Sequence, residues 1–496
     1  MHRLLRAAFP YLAYLALAAC APGDASREAR IVEALTRADE PLLRSRPALV
    51  AGKYARMASD GVSFMRGSVA LAVRDWLDAS GDAEGSRFAV TSPRVPSLGD
   101  AHPENFGILW SFTADAGFDG LASFEPNDFD AADRLPYLVD VRRLAGALAF
   151  VVGETNAGDE GARRLAVERT DTIVAAAVEA YATTIRALAS EQAVAPIDLA
   201  SPVLADLVRR ASRDRGPGAT LGERTVVRAG ARTLLRGAPD PSEPTQALAE
   251  MPAPLRARVH ELVDAYARTL PLALPDGYLS VKDAAREFGA GVASWPRVRL
   301  LLLVEGPTAS PDDDVILEAK ELADAPWPAA FPPLSTAATN QERVAWAAHR
   351  AFSSSAVEPL WQRASWLGIE WQIRRETEAQ KSVRVERLVG PLGTPEALEA
   401  LARALGQRVA YVHAGGSGTR ETAALTAIAA AIGSSTLPFV EEQVRVARAS
   451  AVRLREDLAH FRNALASRGP TLGFSSVTTE ALPIDFAALL GTPPSP

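Results

Sequence analysis

Leu98-Gly99-Asp100-Ala101-His102-Pro103-Glu104-Asn105, followed by Asn127-Asp128-Phe129-Asp130, is the stretch on which the reading of this chain turns. Between the two runs, Phe106 to Phe112 and Gly120 to Phe124 read as short strands flanking an Asp115-Ala116-Gly117 turn. An aspartate, an asparagine five residues on, and a second aspartate across a hairpin form a set suited to phosphoryl transfer. One carboxylate orients or deprotonates a hydroxyl; the asparagine and the later aspartate hold Mg²⁺ against the phosphates of a nucleotide. Asp140 to Val152, just downstream, reads as a buried helix with Val141, Leu144, Ala145 and Leu148 on one face.

Outward from this centre the chain is 496 residues long, enough for two or three domains and a large core. Its 48% hydrophobic and 23% charged residues are ordinary for a globular protein, and its net charge is −7. No basic block is present to neutralise a phosphate backbone, so no nucleic-acid partner is expected. Before Lys53, residues 21–50 are polar and helix-prone and read as a tether. The long helical patterns over 161–192 and 246–270 flank an Arg-, Gly- and Pro-rich connection, Arg213 to Pro244, expected to be flexible. Strands are expected at Val298–Val304 and Val315–Lys320, and a long helix over Val440–Ala466; the tail from Gly469 reads as irregular.

The N-terminus carries an address. His2, Arg3 and Arg6 precede a short apolar run, Ala7 to Ala19, that closes on Leu17-Ala18-Ala19-Cys20. This resembles the lipobox of bacterial lipoproteins, in which the cysteine is lipidated and becomes the new N-terminus. Cys20 is the sole cysteine, so no intramolecular disulfide can form. The expectation is a signal peptide over 1–20 and a mature protein anchored to a membrane in the cell envelope, facing the periplasm or the exterior.

A phosphoryl-transfer site also needs a lysine on a strand and a glycine turn to approach the phosphates. The chain has only four lysines among 53 basic residues, Lys53, Lys282, Lys320 and Lys381. Arginine, bulkier and forked, does not replace a compact ammonium among phosphates. Lys320 closes the strand Val315-Ile316-Leu317-Glu318-Ala319-Lys320, and Gly289-Ala290-Gly291 precedes it across one strand. Glu342 is the nearest partner glutamate on a following helix, and Arg66, between aromatic residues and a glycine, is a further anion-binding candidate.

The Gly-Asp-x-His-x-x-Asn and Asp-Phe motifs are similar to those of aminoglycoside phosphotransferases and related small-molecule kinases. In those enzymes a further aspartate braces the catalytic loop, and Leu135-Pro136-Tyr137-Leu138-Val139-Asp140 supplies one here. The resemblance implies Asp100 as catalytic base, Asn105 and Asp128 as Mg²⁺ ligands, Asp140 as structural, and Lys320 with Gly289 and Gly291 on ATP. His102 and Asp130 lie beside the site without an implied role. Lid and lysine follow the catalytic loop by about 200 residues, the reverse of an ordinary kinase. That order, with Lys53-Tyr54-x-Arg56-Met57 and Ser63-Phe64-Met65-Arg66-Gly67, resembles a bacterial family catalogued as domain of unknown function 2252, over roughly residues 40–465. Two departures stand out. The family's Gly-x-Gly-Ser-x-Gly lid reads Gly291-Val292-Ala293-Ser294-Trp295-Pro296 here, and its helix glutamate falls on Trp346.

The expected fold is therefore α+β, kinase-like and two-lobed with the lobes reordered. A helix-rich larger lobe over 51–274 carries the motifs, a smaller sheet-containing lobe over 275–390 carries Lys320, and a helical region fills 391–496. The expected function is transfer of a phosphoryl group from Mg-ATP to an unknown small-molecule or protein hydroxyl. The first alternative is a non-catalytic, pseudokinase-like binding lipoprotein. The second is a two-metal phosphoesterase using Asp100 and His102 with Asp128 and Asp130. The six histidines lack the Gly-Asn-His and His-x-His contexts such a site needs, and His413 reads as a satisfied core histidine.

Overall fold

The computed structural model describes residues 26–77, 86–89, 94–111, 120–155, 160–237, 246–327, 337–475, 482 and 484–491. Cys20, the leader and the Asp115-Ala116-Gly117 turn lie outside the described residues. The fold is α+β.

Five short helices open the described residues: α1 (Arg27–Ala38), α2 (Glu40–Ser45), α3 (Pro47–Ser59), α4 (Gly61–Gly67) and α5 (Val69–Leu77). The hairpin region follows, with β1 (Arg94–Ser97), β2 (Phe106–Trp110), β3 (Ala122–Pro126) and β4 (Asp133–Pro136). Helices α6 (Leu138–Thr155), α7 (Glu160–Ala189), α8 (Pro202–Arg213) and α9 (Pro217–Arg224) lead into the hairpin β5 (Thr225–Arg228) and β6 (Ala231–Leu234). Then come β7 (Ala247–Glu250), α10 (Ala253–Arg256), α11 (Val259–Ala267), β8 (Val281–Phe288), β9 (Arg299–Val304) and β10 (Val315–Glu321). Helix α12 (Asn340–Ala351) precedes β11 (Gln362–Trp366), β12 (Ile369–Glu376) and β13 (Lys381–Ser382). The chain closes with α13 (Pro395–His413), α14 (Thr422–Ile432), α15 (Leu437–Arg468) and α16 (Ile484–Leu490).

Two structural masses result. In the first, α6, α7, α13 and α15 pack around one core with β2 and β3, which pair antiparallel with Gly107 opposite Glu125. The second is a six-stranded sheet ordered β11-β12-β10-β9-β8-β7, antiparallel at every pair. Alternation along β10 sorts its side chains. Leu317 and Ala319 meet the apolar face under α11 and α16, while Ile316 meets Leu221 of α9 and Leu234 of β6 on the other. Among the described residues, the stretch Arg169–Ala189 of α7 is long and apolar enough to cross a membrane, and half of it is buried in the core.

Four expectations change. Residues 27–50 are not a tether: Ile31 and Leu35, one turn apart, give α1 an apolar stripe that is buried with Phe461, and Leu43 of α2 joins the same core. The pattern over 246–270 is not one helix, since Pro252 and Pro254 break it and β7 joins the sheet edge, so the sheet lobe begins before 275. Arg213 to Pro244, as far as it is described, is ordered as α9 and the β5–β6 hairpin, held down by Leu221 and Leu234. The tail is not wholly irregular, because α16 returns to the sheet and buries Phe486 and Leu489.

Candidate functional site

The loop from Leu98 to Asn105 is fixed at its backbone. Leu98 N–H and Gly99 N–H donate to the two oxygens of Asp140, at 2.7 and 2.8 Å. Asp140, at the start of α6, is fully buried, and His413 Nε2 stands 3.2 Å from its Oδ2. Tyr181 hydroxyl lies 2.9 Å from His413 Nδ1, so an imidazole protonated on Nε2 satisfies both neighbours. Trp327 Nε1–H donates to Gly99 O at 3.1 Å. Gly99 itself has φ +73°, and a Cβ there would sit 2.1 Å from the Ala131 carbonyl oxygen, so glycine is required. His413 is a core histidine, as its sequence context suggests.

The loop's side chains point to different partners. Asp100 Oδ1 accepts from Arg143 Nε at 2.7 Å, and Arg143 Nη2 also donates to Met65 O at 2.7 Å. His102 is enclosed, 3.8 Å from Asp100, and burial drives its imidazole down to about 3 against the upward pull of that carboxylate. Asn105 Nδ2 donates to Asp100 O at 3.0 Å, and the Asn105 amide oxygen takes no hydrogen bond among the described residues. Arg66 does not face an open anion site, because it pairs with Glu104 at 2.8 Å while Glu104 also accepts from Val385 N–H.

The second motif is tied to the first through the backbone: Asn127 N–H donates to Asn105 O at 3.0 Å. Across the cleft, Lys320 Nζ, nearly buried on β10, lies 2.7 Å from Asp130 Oδ2 and 3.8 Å from Asp128 Oδ1. Arg297 reaches the same Asp130 oxygen at 3.0 Å. Burial pushes the Asp130 carboxyl up, yet Lys320 and Arg297 outweigh it and hold it below the usual carboxylate range. Asp128 behaves oppositely: burial, reinforced by Asp130 and Asp100, raises it against Lys320. Its side chain keeps 40% of its surface in solvent, so it sits deep among protein atoms but opens to the cleft.

Glu342 does not meet Lys320. The run Thr339-Asn340-Gln341-Glu342 is a capping box. Thr339 Oγ1 accepts from Glu342 N–H, and Glu342 Oε2 accepts from Ala338 N–H at 2.8 Å. Helix α12 instead sends Arg343 to the cleft, donating to Asp130 O at 3.0 Å and Ala132 O at 2.6 Å. Gly289 and Gly291, at φ +77° and +76°, do turn the chain between β8 and β9. Beyond them the loop is docked sideways: Val292 enters the core of α3 and α15, and Trp295 lies against Gly52 and under Arg56.

The structure thus gathers Asp100, Asn105, Asp128 and Lys320, with Asp140 behind them, and sets Arg66 and Glu342 to other work. Arg143, Arg297 and Arg343 were not read from the sequence. Arg143 lies three residues after Asp140 on one helix, so both side chains face the Asp100 loop, a spacing that could have marked it. Among the described residues no group of three or more His, Cys, Asp or Glu is arranged to hold a metal. Mg²⁺, however, takes one or two protein oxygens and completes its shell with water and phosphate. The Asn105 amide oxygen and the part-exposed Asp128 carboxylate fit that pattern. The histidines do not add to it: His413 is spent on Asp140 and Tyr181, and His349 Nε2 lies 3.0 Å from Gln362 Nε2.

Fold and site together define an α+β protein in which a lysine on a central strand of the six-stranded sheet pairs with the carboxylates of the Asp128–Asp130 turn, next to the Asp100–Asn105 loop. The chain belongs to the family described as an uncharacterized protein conserved in bacteria, DUF2252, which it matches over residues 44–464. No curated protein and no solved structure matches it.

Proposed function

We propose that this chain is a kinase-like phosphotransferase, lipid-anchored at Cys20 in the cell envelope, that moves a phosphoryl group from Mg-ATP to a hydroxyl acceptor. The observation that carries the reading is Lys320 reaching the Asp128–Asp130 turn, which is itself hydrogen-bonded to Asn105 of the Asp100 loop. Strand order supports it too: the glycine turn joins β8 to β9, the lysine lies one residue before the end of β10, and a helix follows before β11.

When bound, Mg-ATP would supply an activated phosphoryl group with its charge partly neutralised. Asn105 and Asp128 are the residues to hold the metal, and Lys320 the α- and β-phosphates. Phosphate then replaces Asp130 on the lysine ammonium, and Arg297 keeps Asp130 neutralised. Asp100 would orient the acceptor hydroxyl and take its proton as the new O–P bond forms and the bond from that phosphorus to the leaving ADP oxygen breaks; Arg143 fixes the carboxylate's direction. The charge-assisted contacts would stabilise the transferring group.

One specific arrangement favours a non-catalytic binding protein instead. The glycine loop is docked on α3 through Trp295, away from any phosphate, and Asp100 is paired with Arg143. The two readings separate in one assay. Labelled Mg-ATP is incubated with the protein and a panel of hydroxyl compounds, beside Asp100→Asn. Transfer that Asp100→Asn abolishes, with nucleotide binding retained, supports the enzyme. Nucleotide binding with no transfer to any acceptor or to water supports the binding protein.

A further inference from the structure

Behind Asp100 the helical body holds a cavity of about 130 Å³ between α5, α6 and α15. Its walls are apolar, formed by Met65, Leu71, Trp76, Val139, Trp327 and Leu454. Two acids, Asp75 and Asp457, also line it, but both are taken by Arg27, at 2.5 and 2.6 Å. Arg142, on the wall, is taken by Gln443 and Glu442 at 3.1 and 3.0 Å. Arg143 differs from these. It lines the cavity, spends Nε on Asp100 and Nη2 on Met65 O, and has no partner for Nη1 among the described residues.

Arg453, also on the wall, reaches Asp75 at 3.9 Å. A largely apolar lining with the Arg143 Nη1 donor unspent selects an apolar body carrying an anion. Size narrows it further: an engineered apolar cavity of about 150 Å³ takes benzene. We propose that this cavity is a binding site for a small carboxylate with a ring-sized apolar body, and that its carboxylate shares Arg143 with Asp100. Inorganic phosphate lacks the apolar body that Met65, Trp76, Val139 and Leu454 would cover. Because Asp100 and the ligand draw on one guanidinium, occupancy loosens the hold on Asp100, and loss of the Asp100 charge strengthens the ligand. Binding stands apart from the phosphotransferase reading; only a consequence for transfer rests on it.

The test is calorimetric titration of benzoate, with benzyl alcohol as its uncharged counterpart, into the full protein without nucleotide. Benzoate is expected to bind at one site and at least about tenfold more tightly than the alcohol, the scale of one charge-assisted contact. Arg143→Met should remove that preference while leaving the apolar chamber. Ala72→Trp, which fills the chamber from α5, should remove binding of both compounds. Asp100→Asn should tighten benzoate severalfold and leave the alcohol unchanged. Failure of benzoate to bind at millimolar concentration, equal affinity for the two compounds, or a benzoate preference that survives Arg143→Met would each overturn the proposal. A failed ATP titration alone would not touch it.

Discussion

The Asp100 loop and the glycine loop between β8 and β9 are built on different principles. The Asp100 loop is held at its backbone by buried groups from distant elements: Asp140, with His413 and Tyr181 behind it, and Trp327. The glycine loop between β8 and β9 is held by side chains at its far end, Val292 and Trp295, set into the N-terminal helices. The first is rigid where chemistry is expected. The second is free at Gly289 and Gly291 and pinned where a nucleotide lid would be expected to move. Separation of roles follows: the helical body supplies geometry, and the sheet lobe supplies a charge, Lys320, already balanced by Asp130.

The largest expected effect falls on the braced loop. Asp140→Ala strands Leu98 N–H, Gly99 N–H and His413 in the core, and at about 1–3 kcal/mol for each unsatisfied group the loss is about 3–9 kcal/mol. Urea unfolding measures it; a loss below about 1 kcal/mol would show that the brace is not structural.

A paired substitution sharpens the contrast. Gly99→Ala drives a Cβ into a backbone oxygen at 2.1 Å and is expected to cost about 3 kcal/mol. Gly291→Ala meets only Ser294 Oγ, at 2.6 Å, a side chain that can rotate, and should cost about 1 kcal/mol at its positive φ. Equal losses in thermal unfolding would erase the distinction between the loops.

The sheet lobe carries a pH signature. Burial pushes the Glu376 carboxyl from 4.5 up to about 7, with Glu318 and Glu287 adding to the push and Arg224 and Arg374 opposing it. The folded protein thus holds this proton more tightly than the unfolded chain does. Its contribution is complete below pH 4.5 and is lost as pH rises through 7. Glu376→Gln keeps the neutral shape, so its melting temperature should exceed that of the wild type at pH 8, by a margin that closes toward pH 4.5. A margin independent of pH would contradict the raised carboxyl. Smallest of all, Glu342→Ala should cost about 0.5–1 kcal/mol through the lost cap and leave nucleotide affinity unchanged. A tenfold loss of affinity would instead revive it as the partner of Lys320.

What the sequence made legible was local. The loop, the hairpin and the strand of Lys320 each lie in one short window whose spacing carries its meaning, and all appear where expected, as do the long helices α7 and α15. What it hid was set by distance or by competition. Glu342 sat on the expected helix, but Thr339 three residues earlier offered it a closer task. Arg66 looked available because Glu104, its partner, lay within the very motif being read for chemistry. Arg297 and Arg343 converge on Asp130 from 167 and 213 residues away, and no local pattern announces such a meeting. Residues 27–50 looked like a tether because the charged residues interleaved with them mask Ile31, Leu35 and Leu43.

The central claim is that the cleft between Lys320 and the Asp100 loop holds Mg-ATP. Titration of ATP into the protein with and without Mg²⁺, beside Asp128→Ala, tests it most directly. The account predicts metal-dependent binding that Asp128→Ala loses. Absence of binding at millimolar ATP, or equal binding by Asp128→Ala, would contradict it.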